Sequence, residues 1–259
     1  MELNRLFIKY KTPEQIIYSG DKKVELFRIK KGVPEKISSY EREKSERFFP
    51  VELKNDLINT NTGIILNSGH FVFNLLTFDK IPFRKKQKDD LVNWRVQKLF
   101  PENIDSYIHQ FIQFDRKTIL SVLVRNDLFS EIESEAGDLG AELNYSGNST
   151  LEIMNYLRSR GDHPDFFIES DGSIMLSVFF RDGIPVYIRK MRTVRGIPSG
   201  TEIYKTVEYV EKNYGFKPHS CSVFSVDGNG EIIKNELREM KFTLIDHTRS
   251  DMRFLPGVK

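Results

Sequence analysis

The chain has 259 residues, 39 % hydrophobic and 29 % charged, which is ordinary for a folded globular protein and excludes the disordered and collagen-like classes. Its 39 Lys and Arg against 37 Asp and Glu create no overall field for nucleic acid, and a single cysteine, Cys221, excludes an intramolecular disulfide framework and cysteine-rich zinc sites. There is no run of about 18 apolar residues to span a bilayer, and the opening MELNRLFIKYK lacks the long apolar stretch of a signal peptide.

Strand-like runs come first, at 5–10, 15–18 and 23–30. The polar stretch 34–47, rich in Glu, Lys and Ser, predicts a loop with a short helix. Residues 62–78 hold two β-rich runs broken at Asn67-Ser68-Gly69, which predicts a hairpin turn. Helical spacing of Leu91, Trp94 or Arg95, and Lys98 or Leu99 predicts a helix over 89–100 with an apolar face along those positions, ended by Pro101. Residues 107–114 and 118–124 read as strands, the second apolar throughout, as expected for a strand covered on both faces. Asn126 is placed to cap a helix over 127–136. A strand over 141–145 follows. Ser149-Thr150-Leu151-Glu152 then reads as a capping box, opening a helix with Leu151, Met154 and Leu157 on one face. Alternating strands and helices argue for α/β architecture. The polar 158–164, RSRGDHP, is the best domain boundary.

Residues 165–192, DFFIESDGSIMLSVFFRDGIPVYIRKMR, form the most informative stretch. Three alternating runs are joined by Asp171-Gly172 and Asp182-Gly183, a hairpin signal because both central residues of a type I′ turn need positive φ. A second capping box, Ser199-Gly200-Thr201-Glu202, opens a helix with Ile203, Val207, Val210 and Tyr214 on one stripe. A strand at 220–226, a turn at Gly228-Asn229-Gly230, a helix at 231–240 and a strand at 242–245 complete the chain. No fixed-period repeat or low-complexity tract occurs.

Several chemistries have weak support. The histidines, His70, His109, His163, His219 and His247, are scattered without metal-ligand spacing. No Gly-x-Ser-x-Gly elbow occurs, and Cys221 opens a buried strand without a helix N-terminus to activate it. Asp89-Asp90 and Glu131, Glu133 and Glu135 read as solvated helix faces. Arg84-Lys85-Lys86 with Lys88 makes a basic cluster, a candidate partner or lipid contact set against a plain solvated helix entry. A phosphate-binding hairpin needs small residues and free backbone N–H groups, because the backbone itself approaches the anion. The candidate turn in the first half is Lys11-Thr12-Pro13-Glu14, which has no glycine and loses an N–H to proline. The second is 169–175, where Glu169 and Asp171 are acidic and Met175 is apolar where a hydroxyl would help. Gly228-Asn229-Gly230 looks intact but short. Candidate nucleotide-loop positions are thus Asp171 and Gly172 on the degraded loop and Gly228 and Gly230 on the short one, too little for a complete phosphate site, and ATP turnover is not expected.

The stretches IPFRKKQKDDLVNWRVQKLFPENIDSYIHQF and ILSVLVRNDLFSEIESEAGDLGAELNY, with Ile81-Pro82-Phe83, Trp94 and Phe100-Pro101-Glu102, resemble the cytoplasmic actin-like proteins of bacterial type II secretion (GspL type) and type IV pilus (PilM) machines. The meander and VFSVDGNGEI resemble that family's second lobe. The resemblance covers most of 62–245. It implies a two-lobed α/β fold with mixed sheets, the actin-like ATPase (ribonuclease H-like) fold. The first lobe would span 1–160 with an insertion at about 80–117, the second 161–250, and a juxtamembrane tail 251–259. It further implies a non-enzymatic scaffold without cofactor, at the cytoplasmic face of the bacterial inner membrane. Its partners would be the N-terminal domain of a secretion or assembly ATPase, inner-membrane platform proteins and a second copy of the chain, with no nucleic acid. The tail, Met252 to Gly257, resembles the segment at the cytoplasmic end of the membrane anchor in these machines, so continuation into a transmembrane helix is expected. Candidate contacts are Arg84, Lys85, Lys86, Phe254, Leu255 and Pro256. The alternative is a PilM-like member that binds ATP.

Overall fold

The structure, a computed structural model, describes residues 7–8, 13–42, 47–100, 104–193, 199–226 and 228–246. The chain opens with β1 (Phe7–Ile8), β2 (Gln15–Ser19), β3 (Lys23–Lys30) and β4 (Val33–Glu41). The stretch predicted as loop and short helix is therefore largely a strand. Its polar side chains belong to an edge, where only one flank is paired and Pro34 is tolerated because no neighbour needs its missing N–H. Lys31 and Gly32, with φ of +53° and +76°, form the two-residue turn that starts it.

After the one-turn helix α1 (Lys54–Leu57) come β5 (Asn61–Leu66) and β6 (Phe71–Thr77). They flank the break at Asn67–Gly69 but do not pair with each other, because they belong to different sheets. Helix α2 (Lys85–Leu99) starts four residues before the predicted span. Its buried positions are Val92 and Val96, one turn apart, rather than the stripe through Trp94, which is half exposed. Strands β7 (Tyr107–Gln113) and β8 (Thr118–Arg125) follow, and β8 is buried along its first seven residues. Next come α3 (Asn126–Asp138), β9 (Glu142–Asn148) and α4 (Ser149–Ser159). Asn126 does not cap α3, since its amide donates to the Asp105 carbonyl, and Arg125 holds the cap position without a side-chain bond. The cap of α4 is Asn148, whose side chain accepts from the Leu151 N–H at 3.0 Å.

The second half contains β10 (Phe166–Asp171), β11 (Ile174–Arg181), β12 (Ile184–Arg192), α5 (Gly200–Tyr214), β13 (Ser220–Ser225), α6 (Gly230–Glu236) and β14 (Lys241–Asp246). Asp182 and Gly183 both have positive φ, as the hairpin signal requires. The other Asp-Gly turn is shifted by one. Asp171 still pairs with Ile174 inside the ladder, so Gly172 and Ser173 make the turn and only Gly172, at φ +59°, is left-handed. Ser199 caps α5 by accepting from the Glu202 N–H, and Gly215 ends it in the left-handed conformation.

Six strands form one sheet in the order β1-β9-β5-β2-β3-β4, and five form another in the order β12-β11-β10-β13-β14. Both obey one plan. Three consecutive antiparallel strands meander, the first pairs in parallel with a later strand, and that strand pairs in parallel with the next. The third sheet, β6-β8-β7, carries α2 over a small core of its own. The largest apolar cluster joins both main sheets, with Ile16, Leu26 and Ile64 from one and Phe167, Leu176 and Phe224 from the other. A second cluster lies between the five-stranded sheet and helices α5 and α6, where Phe166 and Phe179 stack at 4.0 Å. Burial on this scale orders the central strands, β2, β5 and β10, and so fixes where their ends meet.

Candidate functional site

Because the two main sheets share one plan, their first hairpin turns are equivalent, and the shared core brings them face to face. The turn of the first sheet follows β2 and spans Gly20 to Lys23, closed by the Gly20 N–H on the Lys23 carbonyl at 2.9 Å. It is not at 11–14, as the sequence reading placed it. Pro13 and Glu14 precede β2, and Lys11 and Thr12 lie outside the described residues. The turn of the second sheet is Gly172-Ser173.

Each turn inserts a carboxylate into the other. The Asp21 N–H donates to both oxygens of Asp171, at 3.2 and 3.3 Å. In return the Asp21 Oδ2 accepts from the Ser173 N–H at 2.8 Å. The Asp171 Oδ2 also accepts from the Tyr18 hydroxyl at 3.0 Å and from the Asn67 amide at 2.9 Å. Asn67 is oriented in turn by the Gly69 N–H on its Oδ1 at 3.1 Å. An added Cβ at Gly20 would stand 2.8 Å from the Asp171 Oδ2, and one at Gly172 would overlap the Asp21 carboxylate. Both glycines are therefore needed for the turns to approach. Two backbone donors of the turns, the Asp21 and Ser173 N–H groups, are occupied by the protein's own carboxylates.

Glu169, two residues before Asp171 and on the same face of β10, is fully buried. Its carboxylate accepts from the Ser149 hydroxyl at 2.6 Å, the Thr150 hydroxyl and the Ser68 N–H at 3.1 Å. Ser149 and Thr150, which the sequence offers as a capping box, instead tie the start of α4 to β10. Burial pushes the Glu169 carboxyl up, and the hydroxyls and the Ser68 amide pull it part of the way back. Burial likewise lifts the Asp171 carboxyl to about 7, against the opposing pull of Asn67, Tyr18 and the Asp21 amide. The Tyr18 phenol is pushed well up by burial and by the Asp171 and Glu169 charges.

The cations nearby are engaged with backbone. Arg42 donates to the Gly20 carbonyl at 3.0 Å and the Ser19 hydroxyl at 3.3 Å, and burial lowers its pKa. Lys190 donates to the Gly69 and Phe71 carbonyls at 2.6 and 3.0 Å. Burial, with Arg42 and Lys190 adding to it, drops the His70 imidazole to about 4, so it is neutral at pH 7.

Of the sequence-derived positions, Asp171 and Gly172 lie in this site. Gly228 and Gly230 lie beyond β13. Gly230 allows α6 to approach Leu244 on β14, where a Cβ would collide, so it is a packing glycine. Met175 is buried in the second core, away from the turn. Arg84, Lys85 and Lys86 are exposed at the start of α2 in the third sheet's layer. Phe254, Leu255 and Pro256 lie outside the described residues. Cys221 is buried in β13 and burial pushes its thiol up, as for an inert core residue. Among the described residues no three His, Cys, Asp or Glu side chains gather to hold a metal. Two surface cavities have volumes of about 410 and 390 Å³, the first away from the site beside Phe129 and Tyr145, the second bordering it at Gly69, His70 and Lys190.

The sequence reading missed Tyr18, Gly20, Asp21, Asn67 and Arg42. The signal for one of them was present, since Ser19-Gly20-Asp21 between the apolar runs IIY and VELF has turn chemistry.

No protein-family model and no curated protein sequence matches the chain. Solved structures do. The PilM-PilN type IV pilus biogenesis complex matches with a TM-score of 0.67 at 11 % identity, over 91 % of this chain and 89 % of that one. The cytoplasmic domain of EpsL, an inner-membrane component of the type II secretion system of Vibrio cholerae, matches at 0.60 and 8 % identity over 93 % and 92 %. A protein of unknown function with an actin-like ATPase fold from Bacteroides thetaiotaomicron matches at 0.60 and 10 % over 95 % of each chain. With its mixed sheets built twice on one plan, the chain has the actin-like ATPase fold.

Proposed function

We propose that the chain is a non-enzymatic scaffold of a type II secretion or type IV pilus assembly platform at the cytoplasmic face of an inner membrane. The observation that carries this reading is the reciprocal insertion of Asp21 and Asp171 between the two turns. The resemblance implies that nucleotide-binding members hold ATP through Asp-x-Gly loops in both lobes. Here one N–H of each turn, that of Asp21 and that of Ser173, is used by a carboxylate of the other. Polyphosphate would have to displace both side chains from these donors. The fold then serves as two lobes, 1–160 with its insertion and 161–250, that present surfaces to an assembly ATPase and to platform proteins. The resemblance of PilM and EpsL supports the kind of machine, and a titration tests the partner. The full chain should bind the N-terminal domain of a type II secretion or type IV pilus assembly ATPase from the same organism at micromolar or better affinity. No heat and no co-elution at concentrations about a hundredfold higher would refute the docking role.

A second reading, a PilM-like ATP-binding member, draws on one observation. Gly20 and Gly172 remain at the two turns, where small residues permit close backbone approach. It requires the Asp21–Asp171 contact to open.

A further inference from the structure

Helix α2 presents a surface that none of the described residues covers. Its inward side is narrow. Only Val92 and Val96 are buried, and they pack with Leu76, Ile81, Ile119 and Leu123 under the three-stranded sheet. Three large apolar side chains stand outside that core: Phe83 at 83 % exposure, Trp94 at 50 % and Leu99 at 48 %. Cations are interleaved with them. Residues 80–100 hold seven Lys or Arg and two Asp, a net +5 against +2 for the whole chain, so the remainder is net negative. The Lys98 ammonium lies 4.0 Å above the Trp94 ring. Ten ion pairs form among the described residues, and none uses Arg84, Lys85, Lys86 or Arg95. The exposed Arg116 and Lys117 join this surface, because their carbonyls accept from the Ile81 and Phe78 N–H groups. The acidic groups on and beside this surface are Asp89 and Asp90 within 80–100, Asp79 just before it, and Asp115 next to Arg116.

We propose that this basic and aromatic surface around α2 docks the chain onto an anionic lipid surface. Uncompensated cations attract a layer of anionic headgroups over a Debye length. Exposed Phe and Trp rings suit the interfacial zone, and Lys stems lie along it while their ammonium groups meet phosphate. A lipid layer demands no shaped pocket, and the cavities of about 410 and 390 Å³ are lined by residues outside α2. The charge complementarity holds whether or not the chain serves an assembly platform.

Trp94 is the only tryptophan, so its emission reports this surface alone. The full chain is titrated with vesicles of phosphatidylcholine containing about 30 % phosphatidylglycerol, and with phosphatidylcholine alone. The anionic vesicles should shift Trp94 emission to the blue, and brominated acyl chains should quench it. Affinity should fall about tenfold or more when ionic strength rises from about 0.1 to about 0.5 M. The triple variant Lys85→Glu, Lys86→Glu, Arg95→Glu should lose binding about tenfold or more with an unchanged melting curve. Phe83→Ser should weaken binding without changing charge. Equal binding to neutral vesicles, no spectral shift, or full binding by the folded triple variant would overturn the proposal. So would poly-glutamate shifting Trp94 as strongly as vesicles while brominated chains fail to quench, which would mark a site for an acidic protein. The salt and quenching measurements use the unaltered chain, so they decide the matter even if the triple variant does not fold.

Discussion

At Asp171 burial and hydrogen bonding pull in opposite directions, and burial is the larger. The carboxyl rises from an ordinary value of 3.8 to about 7 in the fold. A group raised in the folded state binds its proton more tightly there. Its stabilising contribution is complete below about 4 and is lost as pH rises towards and through 7. Replacing it with Asn removes that titration while keeping one acceptor oxygen. The difference in stability between wild type and Asp171→Asn should therefore move in favour of the variant between pH 5 and pH 8, by something on the order of 3 kcal/mol. Urea midpoints at the two pH values measure it, and a constant difference would show that Asp171 is not held in this environment. In the sequence Asp171 reads as a charge that would repel phosphate. Its other role was hidden, because its partners lie 104 to 153 residues away and only the packed sheets bring Tyr18, Asp21 and Asn67 to it.

Among the elements, those marked by local chemistry were legible and those defined by long-range pairing were not. The hairpin at Asp182-Gly183, the Ser199 cap and the buried β8 all follow from residues within one turn or one strand. Strand β4 did not, because its polar sequence makes sense only at a sheet edge. The face of α2 was misread because Leu91, Trp94 and Lys98 fit helical spacing as well as Val92 and Val96 do, and only the sheet beneath selects between them. At the start of α4 the cap lies one residue before the predicted box. Asn148→Ala should cost about 1 kcal/mol through loss of the cap bond to Leu151. Ser149→Ala should cost about 1–3 kcal/mol by a different route, since it strips a donor from the buried Glu169 carboxylate. Chemical denaturation of the two variants checks both. If Ser149→Ala were neutral, the tie between α4 and β10 would carry no weight.

For the whole molecule the repeated sheet plan explains why a site exists at all. Two equivalent turns on two sheets that share one core must face each other. In sequence the second copy of the plan is plain from its meander, whereas the first is obscured by the polar β4 and by the third sheet inserted between β5 and β9. The fold class was therefore accessible from the second half, and the pairing of Asp21 with Asp171 only from both halves together. On the proposed reading, the Asp21 and Asp171 carboxylates hold turn N–H groups that would otherwise meet phosphate. Thermal melting of the full chain with and without saturating magnesium and ATP tests it most directly. The same melting curve in both conditions is the predicted result. A stabilisation of about 2–3 kcal/mol, the amount that ligand at about a hundred times its Kd supplies, would contradict it and restore the nucleotide-binding reading.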